Sequence, residues 1–136
     1  MQITQKDLDI CFALAREVEN IRERIERLRA LLSGSGVIIR ETPGSTDGPR
    51  DKMAEGVASL VDMERDARHR IEAYLDHAGM VEKAIDGLGD PGQRMVLRLR
   101  YMDGLVWEEV ARKAHYSKRW CEAMAAKGLA ELGIEK

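Results

Sequence analysis

The chain is 136 residues long, which allows one ordinary domain or a small domain with a helical extension. Aromatics are only 4% of it and charged residues 34%, poor material for a sheet core, so an all-α fold is expected. The net charge of −2 excludes a uniformly basic nucleic-acid binder, but residues 1–90 hold 13 Lys and Arg against 18 Asp and Glu, whereas residues 91–136 hold 9 against 6. That split predicts an acidic scaffold carrying a mildly basic head.

The first periodic segment places Cys11, Leu14, Val18, Ile21, Ile25, Leu28 and Leu32 at steps of 3 and 4, a heptad seam. Thr4 with Asp7 makes a capping-box pattern at its start, and Ser33-Gly34 ends it. Residues 33–50, "SGSGVIIRETPGSTDGPR", read as a loop, with "VIIRE" able to pair as a short strand. The loop lacks Walker spacing and a Lys-Ser/Thr ending, which argues against a nucleotide site.

A second seam runs through Met53, Val57, Leu60, Glu64, Ala67, Ile71, Tyr74, Ala78, Val81, Ile85 and Leu88, with Glu64 its one charged member. A buried Glu64 would set register or partner choice, and a Glu64 snorkelling at the helix edge would do neither. At about 1.5 Å per residue the first seam spans roughly 31 Å and the second roughly 52 Å. In an antiparallel hairpin the first therefore covers Met53 to about Tyr74 and leaves Ala78 to Leu88 bare. That stripe requires cover from another chain or from the C-terminal domain, so self-association, a dimer favoured, is expected. Residues 1–89 form the helical oligomerisation region in this reading.

His69 and His77 stand eight apart, without metal-ligand spacing, and read as surface histidines. Cys11 and Cys121 lie at apolar positions 110 residues apart and read as buried free thiols. No nucleophile–His–acid set, metal cluster or phosphate loop is visible, so binding rather than catalysis is expected, with no cofactor. No apolar run of 18 residues and no signal peptide is visible, which predicts a soluble cytoplasmic protein without membrane contact.

Residues 90–136 form the head. Asp90 is the N-cap, Pro91 the first helical residue and Gln93 the third member of a capping box. The helix "PGQRMVLRLRYM" buries Val96, Leu97 and Leu99 and exposes Arg94, Arg98 and Arg100; Asp103-Gly104 breaks it. A short helix from about Trp107 to Lys113 follows, with Val110 and Ala111 inward. After "AHYS" a third helix starts at Lys118, capped by Ser117, with Cys121, Met124, Leu129 and Leu132 inward. Three short helices, the last two joined by a tight turn, make a helix-turn-helix.

The stretch "QRMVLRLRYMDGLVWEEVARKAHYSKRWCEAMAAKGLAEL", residues 93–132, resembles region 4 of the major bacterial sigma factors. The whole layout (heptad helix, Gly/Ser-rich loop, second heptad helix, sigma-like end) is similar to short phage and prophage proteins related to late transcription regulators. The resemblance implies duplex DNA binding and transcriptional control in a bacterial host cell. His115 stands where the family usually has Gly, and Glu122 and Ala123 stand where relatives often carry base-reading side chains. Lys118, Arg119 and Trp120 remain to lead base reading, with Ser117 at the cap and Arg98, Arg100, Arg112, Lys113 and Lys127 for phosphate. Residues 94–119 carry seven Lys and Arg against three acids, which fits that footprint. Two other readings compete: a module that grips RNA polymerase or another protein, and a DNA-packaging subunit like a small terminase.

Overall fold

The computed structural model describes Gln2–Ser33 and Gly48–Ile134. The strand expected at "VIIRE" falls outside the described residues, which are all-helical. In chain order they form α1 (Gln5–Ser33), α2 (Gly48–Asp86), α3 (Pro91–Leu97), a π-helical turn (Arg98–Met102) continuing α3, α4 (Trp107–Ala114) and α5 (Lys118–Glu131). None of these helices is long and apolar enough to cross a membrane.

The chain divides into two compact units. One contains Met1–Glu17 with Ile71–Lys136, the other Val18–Arg70. The boundary expected near residue 90 thus lies inside the first unit, because the start of α1 and the end of α2 share a core with the short helices.

In the first unit, Thr4 and Asp7 cap α1 reciprocally. The Asp7 amide donates to Thr4 Oγ1 at 3.3 Å and the Thr4 amide to Asp7 Oδ2 at 2.9 Å. Leu8 and Cys11 of α1 join Val81 and Ile85 of α2 in one core with Val96, Leu97, Val110 and Cys121, all fully buried. Each large aliphatic side chain so buried contributes about 1.5–3 kcal/mol. The Ala78–Leu88 stripe is therefore covered within the chain, by α1 and the C-terminal helices, and needs no second copy.

The second unit pairs the rest of α1 with the start of α2. Arg29 forms an ion pair with Glu64, and Leu32 lies over Gly56, so the segments run antiparallel. A Cβ on Gly56 would come within 2.6 Å of Leu32 Cδ2. Ile21 and Ile25 are buried, as their seam predicts.

On α2 the expected seam is corrected at alternate positions. Met53, Val57 and Ile71 are exposed, while Gly56, Leu60, Met63, Ala67, Arg70 and Tyr74 are half-buried and step by 4 and 3. The two registers share Leu60, Ala67 and Tyr74 and differ by one residue elsewhere. Hydropathy favours Val57 and Ile71 over Gly56 and Arg70, but it is Gly56 that lies under Leu32, where the absent side chain leaves room. Glu64 ends beside the inner stripe, a third exposed, with its carboxylate on Arg29.

Candidate nucleic-acid interface

The head is built on local signals. Asp90 Oδ2 accepts the Gln93 amide at 2.9 Å and Pro91 opens α3. After Leu97 the helix widens into the π-helical turn, whose exit is marked by the Asp103 amide donating to the Arg98 carbonyl at 2.9 Å. Gly104 then reverses the chain at φ 68°. Its carbonyl accepts Arg16 Nη1 at 2.7 Å, and the Tyr74 hydroxyl donates to the Met102 carbonyl at 2.8 Å. The loop before α4 is thus fastened to both long helices.

α4 begins where the Val106 amide donates to Glu109 Oε1 at 3.2 Å and ends at His115, which adopts the left-handed conformation at φ 64°, ψ 35°. The His115 and Tyr116 amides both return to the Ala111 carbonyl, at 2.9 and 3.3 Å. Ser117 follows directly as the N-cap of α5, its Oγ accepting the Trp120 amide at 3.1 Å. Three residues therefore join α4 to α5, and the two helices pack on each other through Val110, Ala114, Cys121 and Ala125. α3 approaches α5 closely at Gly128, where a Cβ would meet Leu97 Cδ1 at 2.8 Å and Gln93 Cβ at 3.3 Å.

Five of the residues singled out in sequence flank this turn. Arg112 and Lys113 are exposed on the last turn of α4, Ser117 is the cap, and Lys118 and Arg119 are exposed on the first turn of α5. Lys127 is exposed two turns further on, on the outward surface with Ala123, Ala126 and Ala130. Lys118 is not unengaged: its Nζ lies 3.1 Å from Glu108 Oε2. That contact holds the Glu108 carboxyl below its ordinary value and raises the Lys118 ammonium above its own.

The other three residues stand elsewhere. Trp120 is half-buried, stacked on Tyr116 with ring centroids 3.9 Å apart, and its ring tip would lie 3.4 Å from a Cβ on Gly92. Arg98 is exposed but ion-paired with Asp86. Arg100, expected outside, is half-buried and so corrects its exposure. Its guanidinium lies 4.3 Å from the Phe12 ring centroid and 4.8 Å from that of Trp107, and Nη1 donates to the Leu105 carbonyl at 3.1 Å. Arg94, expected outside as well, is half-buried and donates to the Leu88 carbonyl at 2.6 Å.

Glu108 as the partner of Lys118 and Arg16 as the fastener of the Gly104 loop are not legible in the sequence. Neither lies at a helical i, i+3 or i, i+4 spacing from its partner, so no local pattern announces it. Of the cations named for DNA, Arg112, Lys113 and Arg119 form a small exposed rim with Lys118 shared with Glu108, and Lys127 is exposed further along α5. Comparison of the chain with protein-family models, with curated proteins and with solved structures gives no match.

Proposed function

We propose that this chain is a DNA-binding transcriptional regulator of the phage or prophage type. It would use α4, the His115 turn and α5 as a helix-turn-helix resembling sigma factor region 4, and self-associate through its long helices. The observation that carries the reading is the turn itself. A left-handed His115 followed two residues later by the Ser117 cap presents the N-terminus of α5 with Lys118 and Arg119 in solvent and Arg112 and Lys113 beside it. Phosphate contacts from this rim would supply most of the affinity, with base reading confined to one or two side chains.

The test is selection of random fragments of the source genome by the purified chain at two salt concentrations. A Lys118→Glu/Arg119→Glu variant runs beside it. Enrichment of a few related sites, lost in the variant, together with a salt slope shallower by about 2, is the expected result. Equal behaviour of the two proteins would remove direct DNA binding by this rim.

A second reading has its own support. Lys118 is engaged by Glu108, Trp120 is half-buried and stacked on Tyr116, and Ala123, Ala126 and Ala130 share the exposed surface of α5 with Glu122 and Lys127. Those features suit a module that grips RNA polymerase or another protein without reading bases. In that case the double variant retains its main partner in a pull-down.

A further inference from the structure

We infer that the outer stripe of α2 takes a second copy of this chain, antiparallel, about a two-fold axis level with Asp66. The inference deepens the self-association in the proposed function, but it stands on α2 and not on the DNA-binding rim.

α2 is one unbroken helix, so the period of 3.6 residues fixes which side chains share a stripe. Its inner stripe uses Gly56, Leu60, Met63 and Ala67. That choice leaves a second series, Val57, Val61, Glu64, Arg68, Ile71 and Leu75, which steps by 4, 3, 4, 3 and 4 and is exposed except at Glu64, a third exposed at its inner edge. Its apolar members are well exposed: Val57 and Val61 47%, Ile71 42% and Leu75 60%. Exposed apolar residues at heptad spacing along a helix make a seam that lacks its partner.

The character of the stripe identifies the occupant. Read in either direction it has the same spacing, with two apolar residues at each end and opposite charges in the middle. Two copies set antiparallel about residue 66 place Val57 against Leu75, Val61 against Ile71, and Glu64 against Arg68, each pair occurring twice. A parallel pair would set Glu64 against Glu64 and Arg68 against Arg68. A surface that complements itself in this way is what a two-fold interface requires.

The charges are available for it. Arg68 is exposed and makes no ion pair among the described residues. Glu64 uses Oε2 for Arg29 and leaves Oε1 for a second cation. The symmetry also continues one step outward. Exposed Met53 would face Gly79, a glycine inside a helix where a Cβ would meet nothing within 4 Å. Glycine weakens a helix relative to alanine, and nothing among the described residues requires one there. Against a second copy it admits the flexible Met53 side chain.

The experiment is sedimentation of the full chain at micromolar concentration, with helicity measured on every variant. The wild type is expected to be a dimer, and Val61→Glu a folded monomer. Arg68→Glu should weaken the dimer roughly tenfold, because two attractive contacts become two repulsive ones. Glu64→Arg should weaken it similarly. An equimolar mixture of these last two should recover the dimer, since one chain then carries only anions and the other only cations at both positions.

The Val61→Cys/Ile71→Cys variant tests the register without altering charge. Positions 61 and 71 are about 15 Å apart along one helix, too far for a bridge within a chain. Oxidation should therefore give covalent dimers, and Val61→Cys alone should give none. A folded wild-type monomer would overturn the inference, as would a dimer indifferent to Arg68→Glu or cross-linking by Val61→Cys alone. The Lys118→Glu/Arg119→Glu chain should dimerise like wild type, so loss of DNA binding and loss of the dimer are read separately.

Discussion

Arg100 and Phe12, 88 residues apart, form a cation–π contact at 4.3 Å, with the Trp107 ring at 4.8 Å from the same guanidinium. One arginine thus ties α1 to the start of α4 and to the π-helical turn that carries it. Half-buried cation–π contacts are worth about 0.5–2 kcal/mol and the bond to the Leu105 carbonyl about 1 kcal/mol more. Arg100→Ala should lower stability in a urea titration by about 2 kcal/mol. It should leave the salt slope of any DNA binding unchanged, because this charge is not at the rim.

Two left-handed residues in the head should respond in opposite directions. A Cβ on Gly104 would sit 2.9 Å from Ala15 Cβ and 3.2 Å from the Arg16 backbone nitrogen, in addition to the strain of φ 68°. Gly104→Ala should therefore cost about 2–4 kcal/mol in thermal or chemical unfolding. His115, at φ 64°, already bears that strain, and His115→Gly should relieve it and stabilise by about 0.5–1 kcal/mol.

The Glu108–Lys118 contact competes with any phosphate for the same ammonium. Glu108→Gln should raise affinity for a nonspecific duplex about two- to fivefold at low salt, measured by fluorescence anisotropy. The contact also has a defined pH window. The folded Glu108 pKa is depressed, so its contribution is present above 4.5, the ordinary value, and is lost as pH falls through the lower one. The Lys118 pKa is raised, so its contribution is present below 10.5 and lost as pH rises through the higher one. A carboxyl titration by NMR should find Glu108 below 4.5, returning toward that value in Lys118→Met.

Cys11 and Cys121 are both fully buried, and burial pushes the Cys11 thiol up to about 11 and raises that of Cys121. A disulfide-exchange reagent at pH 8 should label neither in the folded chain and both in denaturant. The raised Cys11 value also means that the unfolded state loses this proton first. Stability should therefore fall as pH rises from 9 toward 11, and the Tyr74 hydroxyl, pushed up to about 12 by burial, extends the loss from 10 toward 12.

Much of the head was legible in the sequence because its signals are short-range. The Asp90–Pro91 start and the Ser117 cap each depend on residues within four positions, as does the Thr4–Asp7 box at the start of α1, and each stands where sequence placed it. The candidate interface was legible only in part. Lys118, Arg119, Arg112, Lys113 and Lys127 are exposed, whereas Arg94 and Arg100 are half-buried in contacts of the first unit.

The sequence by itself determined the helices, their caps and the exposure of the α4–α5 rim, since hydrogen bonds to the nearest turn and backbone strain act within a few residues. Tertiary packing decided three things: that the Ala78–Leu88 stripe is covered by the chain's own short helices, that Arg100 is caged by aromatics, and which register of α2 meets α1. Leu60, Ala67 and Tyr74 belong to both registers, so periodicity alone leaves them nearly equivalent. In the structure Leu32 lies over Gly56, and Val57 and Ile71 are exposed.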